Sequence, residues 1–357
     1  MSFVYEEKML AGLLSFAMIF SLTACGGSTT TEEPAPTEEP AVEETAEPAA
    51  GDAKTGFAVI SSVAKSKDAA EEDGLAQTDS LAVAVIVDKD GKIVNAVIDS
   101  AQTKINFSKE GKITTDLATI FKSKVDMGEE YGMKKASSIG KEWNEQAAAF
   151  ADYVKGKTVE EIKGIAVTEE GVPTGDDIKG SVTVKVKDFI AGIEKAAANA
   201  KEIGASSTDK LGLAIETNIA KSKDAGDEAG LAQAYSTYVV TTTDADGKIT
   251  SAMIDGSQAN INFDATGKIT SDLTAELKTK QELGEGYGMK KASAIGKEWN
   301  EQADAFAEFI KGKTADEVKG MKVSADGLTE EEELKSSVTV HVTDFIKLAE
   351  ASVKKAN

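Results

Sequence analysis

The sequence predicts an α+β protein built from two tandem copies of one module. Three observations carry that prediction. The block YGMKKASSIGKEWNEQAAAFA, Tyr131 to Ala151, returns as YGMKKASAIGKEWNEQADAFA, Tyr287 to Ala307. The offset between Tyr131 and Tyr287 is 156 (287 − 131), and it holds without a gap from Lys65/Lys221 to Asp188/Asp344. Within each copy, alternating apolar segments around Asp-Gly turns give way to apolar stripes at helical spacing, so strand hairpins precede helices. A chain of 357 residues accommodates two such modules, each long enough to bury a core.

Taken in order, residues 1–24 read as a signal peptide. The apolar run Met9–Leu22 suits a signal core and is short for a bilayer span. It leads into Leu22-Thr23-Ala24-Cys25, which looks like a bacterial lipobox with Cys25 as the lipidated residue, although Glu6 and Glu7 outweigh Lys8 where a basic start is expected. The location this implies is the outer face of a bacterial cytoplasmic membrane of the Gram-positive kind, with the lipid as membrane contact. Residues 25–56 hold four of the five prolines (Pro34, Pro36, Pro40, Pro48) among glutamates and threonines, the composition of an extended tether. The modules are placed at 57–203 and 209–357.

In the first module, Leu81–Val87, Asp88-Lys89-Asp90-Gly91 and Lys92–Asp99 read as strand, turn and strand, the Asp-Gly pair supplying positive φ. Asp244-Ala245-Asp246-Gly247 is the second copy of the turn; the later ligands of a calcium loop are missing from both. A second strand pair is expected at Thr103–Phe107 and Lys112–Thr114 around Gly111, repeated at Ala259–Phe263 and Lys268–Thr270 around Gly267. A helix is expected over Asp116–Met127, stopped by Gly128. Ile139, Trp143, Ala147, Phe150 and Val154 fall at steps of four, four, three and four, the apolar stripe of a long helix of about six turns. Ile295, Trp299, Ala303, Phe306 and Ile310 repeat it. Each copy closes on an Ala/Lys-rich helix opened by Asp188-Phe189 or Asp344-Phe345. The drift between Leu81–Val87 (LAVAVIV) and Thr237–Thr243 (TYVVTTT) implies different sheet environments or different pockets.

Composition narrows the chemistry. A net charge of −21 argues against nucleic acid as a partner. Cys25 is the sole cysteine and His341, facing Lys185 in the first copy, the sole histidine. Chemistry common to both copies must therefore work without thiolate or imidazole, which removes most metal sites and the Ser–His and Cys–His nucleophile systems. With no nucleophile–base pair to name, binding is expected ahead of catalysis.

The candidate site lies at the start of the repeated block. Gly132 and Gly288 precede Met-Lys-Lys at the expected helix start, where free amides with Lys134, Lys135, Lys290 and Lys291 suit a phosphate or carboxylate. Lys141 or Lys297 follows two turns on, and Tyr131 and Tyr287 are placed to stack on a flat ring. Trp143 and Trp299, on the apolar stripe, are expected in the core.

The closing segments Asp177–Val184 and Glu333–Val340, with the helix that follows, resemble the end of FMN-binding-domain bacterial lipoproteins, where an acidic residue precedes Ser-Gly-Ala-Thr. The order of hairpin, strand pair, helices, threonine motif and Ala/Lys-rich helix is similar too. In flavinylated members the motif threonine carries FMN, which implies Thr183 and Thr339 here. Gly180-Ser181-Val182 and Ser336-Ser337-Val338 stand where that family has Ser-Gly-Ala, which removes the glycine that lets backbone approach a phosphate, so non-covalent FMN is the form expected. Three functions follow as expectations: a surface lipoprotein binding a small anionic or aromatic ligand, a flavin-carrying electron-transfer lipoprotein, and a structural or adhesive surface protein.

Overall fold

The computed structural model describes residues 51–357; the signal segment, Cys25 and nearly all of the tether lie outside the described residues. The first module opens on three antiparallel strands, β1 (Ala53–Ser62), β2 (Gly74–Asp88) and β3 (Ile93–Phe107), in the order β1-β2-β3. After β3 come a short strand β4 (Ile120–Lys122), a one-turn helix α1 (Lys124–Met127) and a 3-10 turn, Gly128–Tyr131. Helices α2 (Trp143–Tyr153), α3 (Val159–Lys163) and α4 (Lys187–Ala198) complete it. The second module repeats the plan with β5 (Lys210–Asn218), β6 (Gly230–Thr243), β7 (Ile249–Phe263), α5 (Lys280–Leu283), a 3-10 turn at Gly284–Tyr287, α6 (Trp299–Phe309), α7 (Ala315–Lys319), α8 (Glu332–Lys335) and α9 (Thr343–Lys355). The α+β class and the tandem arrangement are as the sequence predicts.

The turn between β2 and β3 places Gly91 at φ 76°, and its twin Gly247 also stands at 76°, so the Asp-Gly pairs do what their chemistry dictates. Several elements differ from expectation. The strand β1 starts at Ala53, inside the stretch assigned to the tether, and β5 starts at Lys210, at the head of the second module. Thr103–Phe107 is the far end of β3 rather than a new strand, and Ile113 meets Phe107 by a single bridge. The helix expected over Asp116–Met127 is mostly absent. Asp116 caps a turn by accepting from the Ala118 amide at 2.9 Å, and Ile120–Lys122 then pairs antiparallel with Glu216–Asn218 of β5. A β-favouring Ile-Phe pair beside an open strand edge wins over weak helical periodicity. The second sheet thus reads β4-β5-β6-β7 and takes one strand from the first module.

The expected long helix is also shorter. Gly140 sits at φ 63° and Gly132 at 76°, both left-handed, so the chain from Tyr131 to Lys141 is a set of turns. Helix α2 begins only at Trp143, behind a capping box of Glu142 and Glu145. Ile139 is therefore off the helix, while Trp143, Ala147 and Phe150 do form its buried face.

Both sheets are covered on both sides. On one face, Val83, Val85 and Val87 pack beneath the helices with Trp143, Phe150 and Phe189; Val239 does so with Trp299, Phe306 and Phe345 in the second module. On the other face, Phe57, Ala82, Ala84 and Ile86 meet Leu211, Leu213, Tyr238 and Val240 across the module boundary. The layers run helices, sheet, sheet, helices. At one end Phe107 and Phe263 stack at 4.3 Å on equivalent positions. Reciprocal bonds flank them: Ile113 N donates to Asp224 at 2.8 Å and Ile269 N to Asp68 at 2.7 Å. The drift at Thr237–Thr243 now has a cause. Thr241 bonds Ser352 of α9 at 2.8 Å and Thr242 bonds Ser251 at 2.6 Å, which in turn bonds Thr55 of the first module at 2.6 Å. Thr241 and Thr242 stand where the first sheet has Val85 and Ile86, so hydroxyl pairs replace aliphatic packing at those two positions.

The last helices lie very close to the first strands. A Cβ at Gly56 would stand 2.1 Å from the Ala196 carbonyl oxygen, and one at Gly212 would stand 1.9 Å from that of Ser352. Only glycine lets α4 and α9 dock so closely, which fixes the helices that wall the cavities described next.

Candidate functional site

The repeated block is a wiring centre. The carboxylate of Glu142, buried at the head of α2, accepts from the Met133 and Lys134 amides at 2.8 and 3.0 Å, and Glu298 does the same for Met289 and Lys290 at 2.8 and 2.9 Å. The amides expected to hold an external anion therefore hold an internal one, and they stand in a turn ten residues before the helix. Lys134 and Lys290 pair with Glu129 and Glu285, while Lys135 and Lys291 are exposed.

One turn along the helix, fully buried Gln146 joins three segments. Its Oε1 accepts from the Thr183 amide at 2.8 Å, the Thr183 hydroxyl at 3.1 Å and the Val184 amide at 3.2 Å. Its Nε2 donates to Ser137 Oγ and the Lys141 carbonyl, both at 3.1 Å. Gln302 repeats this with Thr339, Val340, Ser293 and Lys297. A buried amide with every polar atom bonded tolerates no substitution, and this explains why the block drifted least. The threonines of the closing motif are half-buried, their hydroxyls turned to glutamine.

Beside this wiring each module carries a cavity, of about 520 Å³ in the first and about 370 Å³ in the second. Equivalent positions line both: Lys65/Lys221, Gln102/Gln258, Lys124/Lys280, Tyr131/Tyr287, Trp143/Trp299, Lys185/His341, Asp188/Asp344 and Phe189/Phe345. The floor is the sheet, one wall is the head of the last helix, and the other is the one-turn helix with its 3-10 continuation. Tyr131 and Tyr287 are the residues of the sequence-predicted set that reach the cavities; Lys134, Lys135, Lys290, Lys291, Thr183 and Thr339 do not line them. Trp143 and Trp299 are in the core as expected, set edge-on to Phe189 and Phe345 at 5.7 and 5.8 Å, but an edge of each also faces the cavity.

The central feature is a lysine that sequence reading passed over. Lys124 Nζ lies 4.7 Å from the Tyr131 ring and 4.9 Å from Trp143. Lys280 Nζ is enclosed by Tyr235, Tyr287 and Trp299 at 4.5, 4.7 and 4.6 Å and donates to the Tyr235 hydroxyl at 2.8 Å. Lys280 is 4 % exposed, the one buried lysine among the described residues. Burial pulls its ammonium down to about 8, with Asp255 opposing. Burial likewise pushes the Tyr235 phenol well up, with Tyr287 and Asp344 adding to it. The Asp344 carboxyl is raised by burial and by Glu216, against Lys347 and His341.

One replacement separates the two cavities electrostatically. In the first, Asp79 pairs with Lys65 at 2.8 Å and accepts from Gln102 and Gln77. Burial alone would raise that carboxyl, but these three partners hold it below the usual range. In the second, Tyr235 replaces Asp79, and Lys221 has no carboxylate partner among the described residues. All 40 basic residues of the chain are lysine, so point charges rather than guanidinium forks serve both cavities. Among the described residues no cluster of His, Cys, Asp or Glu is placed to hold a metal ion.

No model of a known protein family matches the chain, and no solved structure matches it. A stretch of 41 residues is 51% identical to part of a chlorophenol reductase from Desulfitobacterium hafniense; it covers 12% of this chain and 12% of that protein.

Proposed function

We propose that the chain is a lipid-anchored extracytoplasmic binding protein whose two modules each hold a small anionic ligand bearing a flat ring. The observation that carries this reading is the duplicated cavity. In a chain of net charge −21, two lysine positions and three aromatic ones recur around the same space in both modules. A ring lies against Tyr131 or Tyr287 and the edge of the tryptophan, and the anionic group takes the lysines at the mouth. FMN is the specific ligand of this class, and the electron-transfer role is the second reading. The strand of chain that carries Thr183 and Thr339 favours it, because it runs on directly into the cavity wall at Lys185 and at Val340–His341. Flavin supplies its own redox chemistry, so the protein's part is to bind, orient and shield the ring.

Equilibrium dialysis with FMN and with riboflavin tests the proposal. Two equivalents of FMN are expected per chain, with riboflavin weaker. Lys221→Met should weaken the second site about tenfold, the scale of one charge-assisted hydrogen bond. The double change Lys134→Ala with Lys135→Ala should leave affinity unchanged. Equal affinity for FMN and riboflavin would remove the anion reading, and no uptake of FMN would remove the flavin.

A further inference from the structure

We infer that the second module's cavity is a reactive-amine site, in which Lys280 forms a reversible imine with an aldehyde or ketone of the ligand. The inference rests on that cavity being the ligand site and goes beyond binding to covalent capture. Lysines in proteins are ordinarily solvated or paired with carboxylates, and a hydrated ammonium is no nucleophile. Lys280 is neither. Its Nζ is enclosed by three aromatic rings, no carboxylate lies within ion-pair distance of it among the described residues, and its hydrogen-bonded neighbour is the Tyr235 hydroxyl. Loss of hydration favours the neutral amine and outweighs the rings' attraction for the cation, in line with the ammonium's fall to about 8.

The remaining groups suit the proton movements. The Nζ lone pair attacks the carbonyl carbon, and the π electrons move to oxygen. A proton then passes from nitrogen to that oxygen, with the Tyr235 hydroxyl at 2.8 Å as the relay. Loss of the second nitrogen proton and of the hydroxyl group, as one water, leaves the C=N bond. Asp344 and His341 line the same cavity. No oxidant or reductant is consumed.

The first module lacks this arrangement. Lys124 faces two rings and is half-buried, and Asp79 stands where the second module has Tyr235, so no phenol is available at that position. Capture is therefore specific to one cavity of the pair.

Trapping with cyanoborohydride tests this on the full chain at neutral pH, with 4-carboxybenzaldehyde and propanal as probes and peptide mass mapping as the readout. Lys280 should be modified at least about tenfold ahead of exposed lysines such as Lys135. Lys280→Met should remove that adduct and leave the surface adducts alone. Should that variant fail to fold, the ratio of Lys280 to Lys135 labelling in the unaltered chain decides by itself. Tyr235→Phe should slow trapping at Lys280 with no change elsewhere. Labelling of Lys280 by propanal with no preference for the carboxylated aldehyde supports the amine and counts against the anionic ligand, so the two readings fail separately. Lys280 labelled no faster than Lys135 by either probe overturns the inference.

Discussion

Cut out as residues 51–203, the first module is expected to lack a cooperative thermal transition as a monomer. Its sheet would lose the cover of Leu211, Leu213, Ile215, Tyr238 and Val240 over Phe57, Val59, Ala84 and Ile86, and Phe107 would lose the stacked ring of Phe263. At about 1.5–3 kcal/mol for each large side chain returned to water, those losses match or exceed the usual folding margin of about 5–15 kcal/mol. Circular dichroism melting with sedimentation shows the outcome. Unfolded chain, or a dimer in which a second copy replaces the missing sheet, agrees with the layered arrangement. A monomer melting near the temperature of the whole chain would show that the shared face contributes little.

The second large effect concerns two buried carboxyls at equivalent positions. Asp99 and Asp255 each use Oδ1 to hold the head of a one-turn helix. Asp99 accepts from Ser100 N at 2.7 Å and Val125 N at 3.0 Å, and Asp255 from Gly256 N at 2.7 Å and Gln281 N at 3.1 Å. Burial pushes Asp99 up to about 6 and Asp255 to about 7, from an ordinary 3.8. Lys355 opposes the rise at Asp99, and Glu282 adds to it at Asp255. Raised carboxyls favour the folded state while protonated. Their contribution is complete below pH 3.8 and is lost as pH climbs through 6 and 7.

Asp255→Asn keeps an oxygen for the two amides and cannot ionise. Relative to the unaltered chain it should gain on the order of 4 kcal/mol between pH 4 and pH 8, at roughly 1.4 kcal/mol per unit of pKa. Denaturant midpoints at pH 4, 6 and 8 give the comparison; parallel curves for the two proteins would contradict it. Lys280, beside Asp255, acts in the opposite sense above pH 8, since deprotonation relieves its own burial. The same helices carry Lys124 and Lys280, so these carboxyls also fix where the cavity lysines stand.

Local chemistry was legible in the sequence, and long-range pairing was not. The Asp-Gly hairpin turns, the buried face of Trp143, Ala147 and Phe150, and the last helix follow from patterns within a few residues. Ile139 lies four residues before Trp143 and so extends the apolar stripe on paper, but a left-handed Gly140 between them keeps it off the helix. The strands β1 and β5 were missed because what makes them strands is a partner 17 or more residues away, Ser62 against Asp79 and Asn218 against Tyr235. The same limit hid the cavities. Lys65, Gln102, Lys124, Trp143 and Asp188 are scattered along the chain and meet only through the sheet and the helix heads. One signal was present: Lys122 and Lys124 recur as Lys278 and Lys280 while the residues between and beside them drifted, Phe121, Ser123 and Val125 facing Leu277, Thr279 and Gln281. Tyr131 and Tyr287, at the head of the repeated block, do line the cavities, while the amides next to them already serve Glu142 and Glu298.

The chain's two tryptophans, one per cavity, allow the central claim to be read directly. With Trp143→Phe only Trp299 emits, and with Trp299→Phe only Trp143 does. Titrated with FMN, each single-tryptophan chain should show saturable quenching of its one emitter, with the tighter curve from Trp299, whose cavity holds Lys221, a lysine without a carboxylate partner among the described residues. Riboflavin should quench more weakly in both. Emission from both chains that falls only linearly with added flavin, as collisional quenching without a bound state requires, would contradict the assignment of a ligand to these cavities.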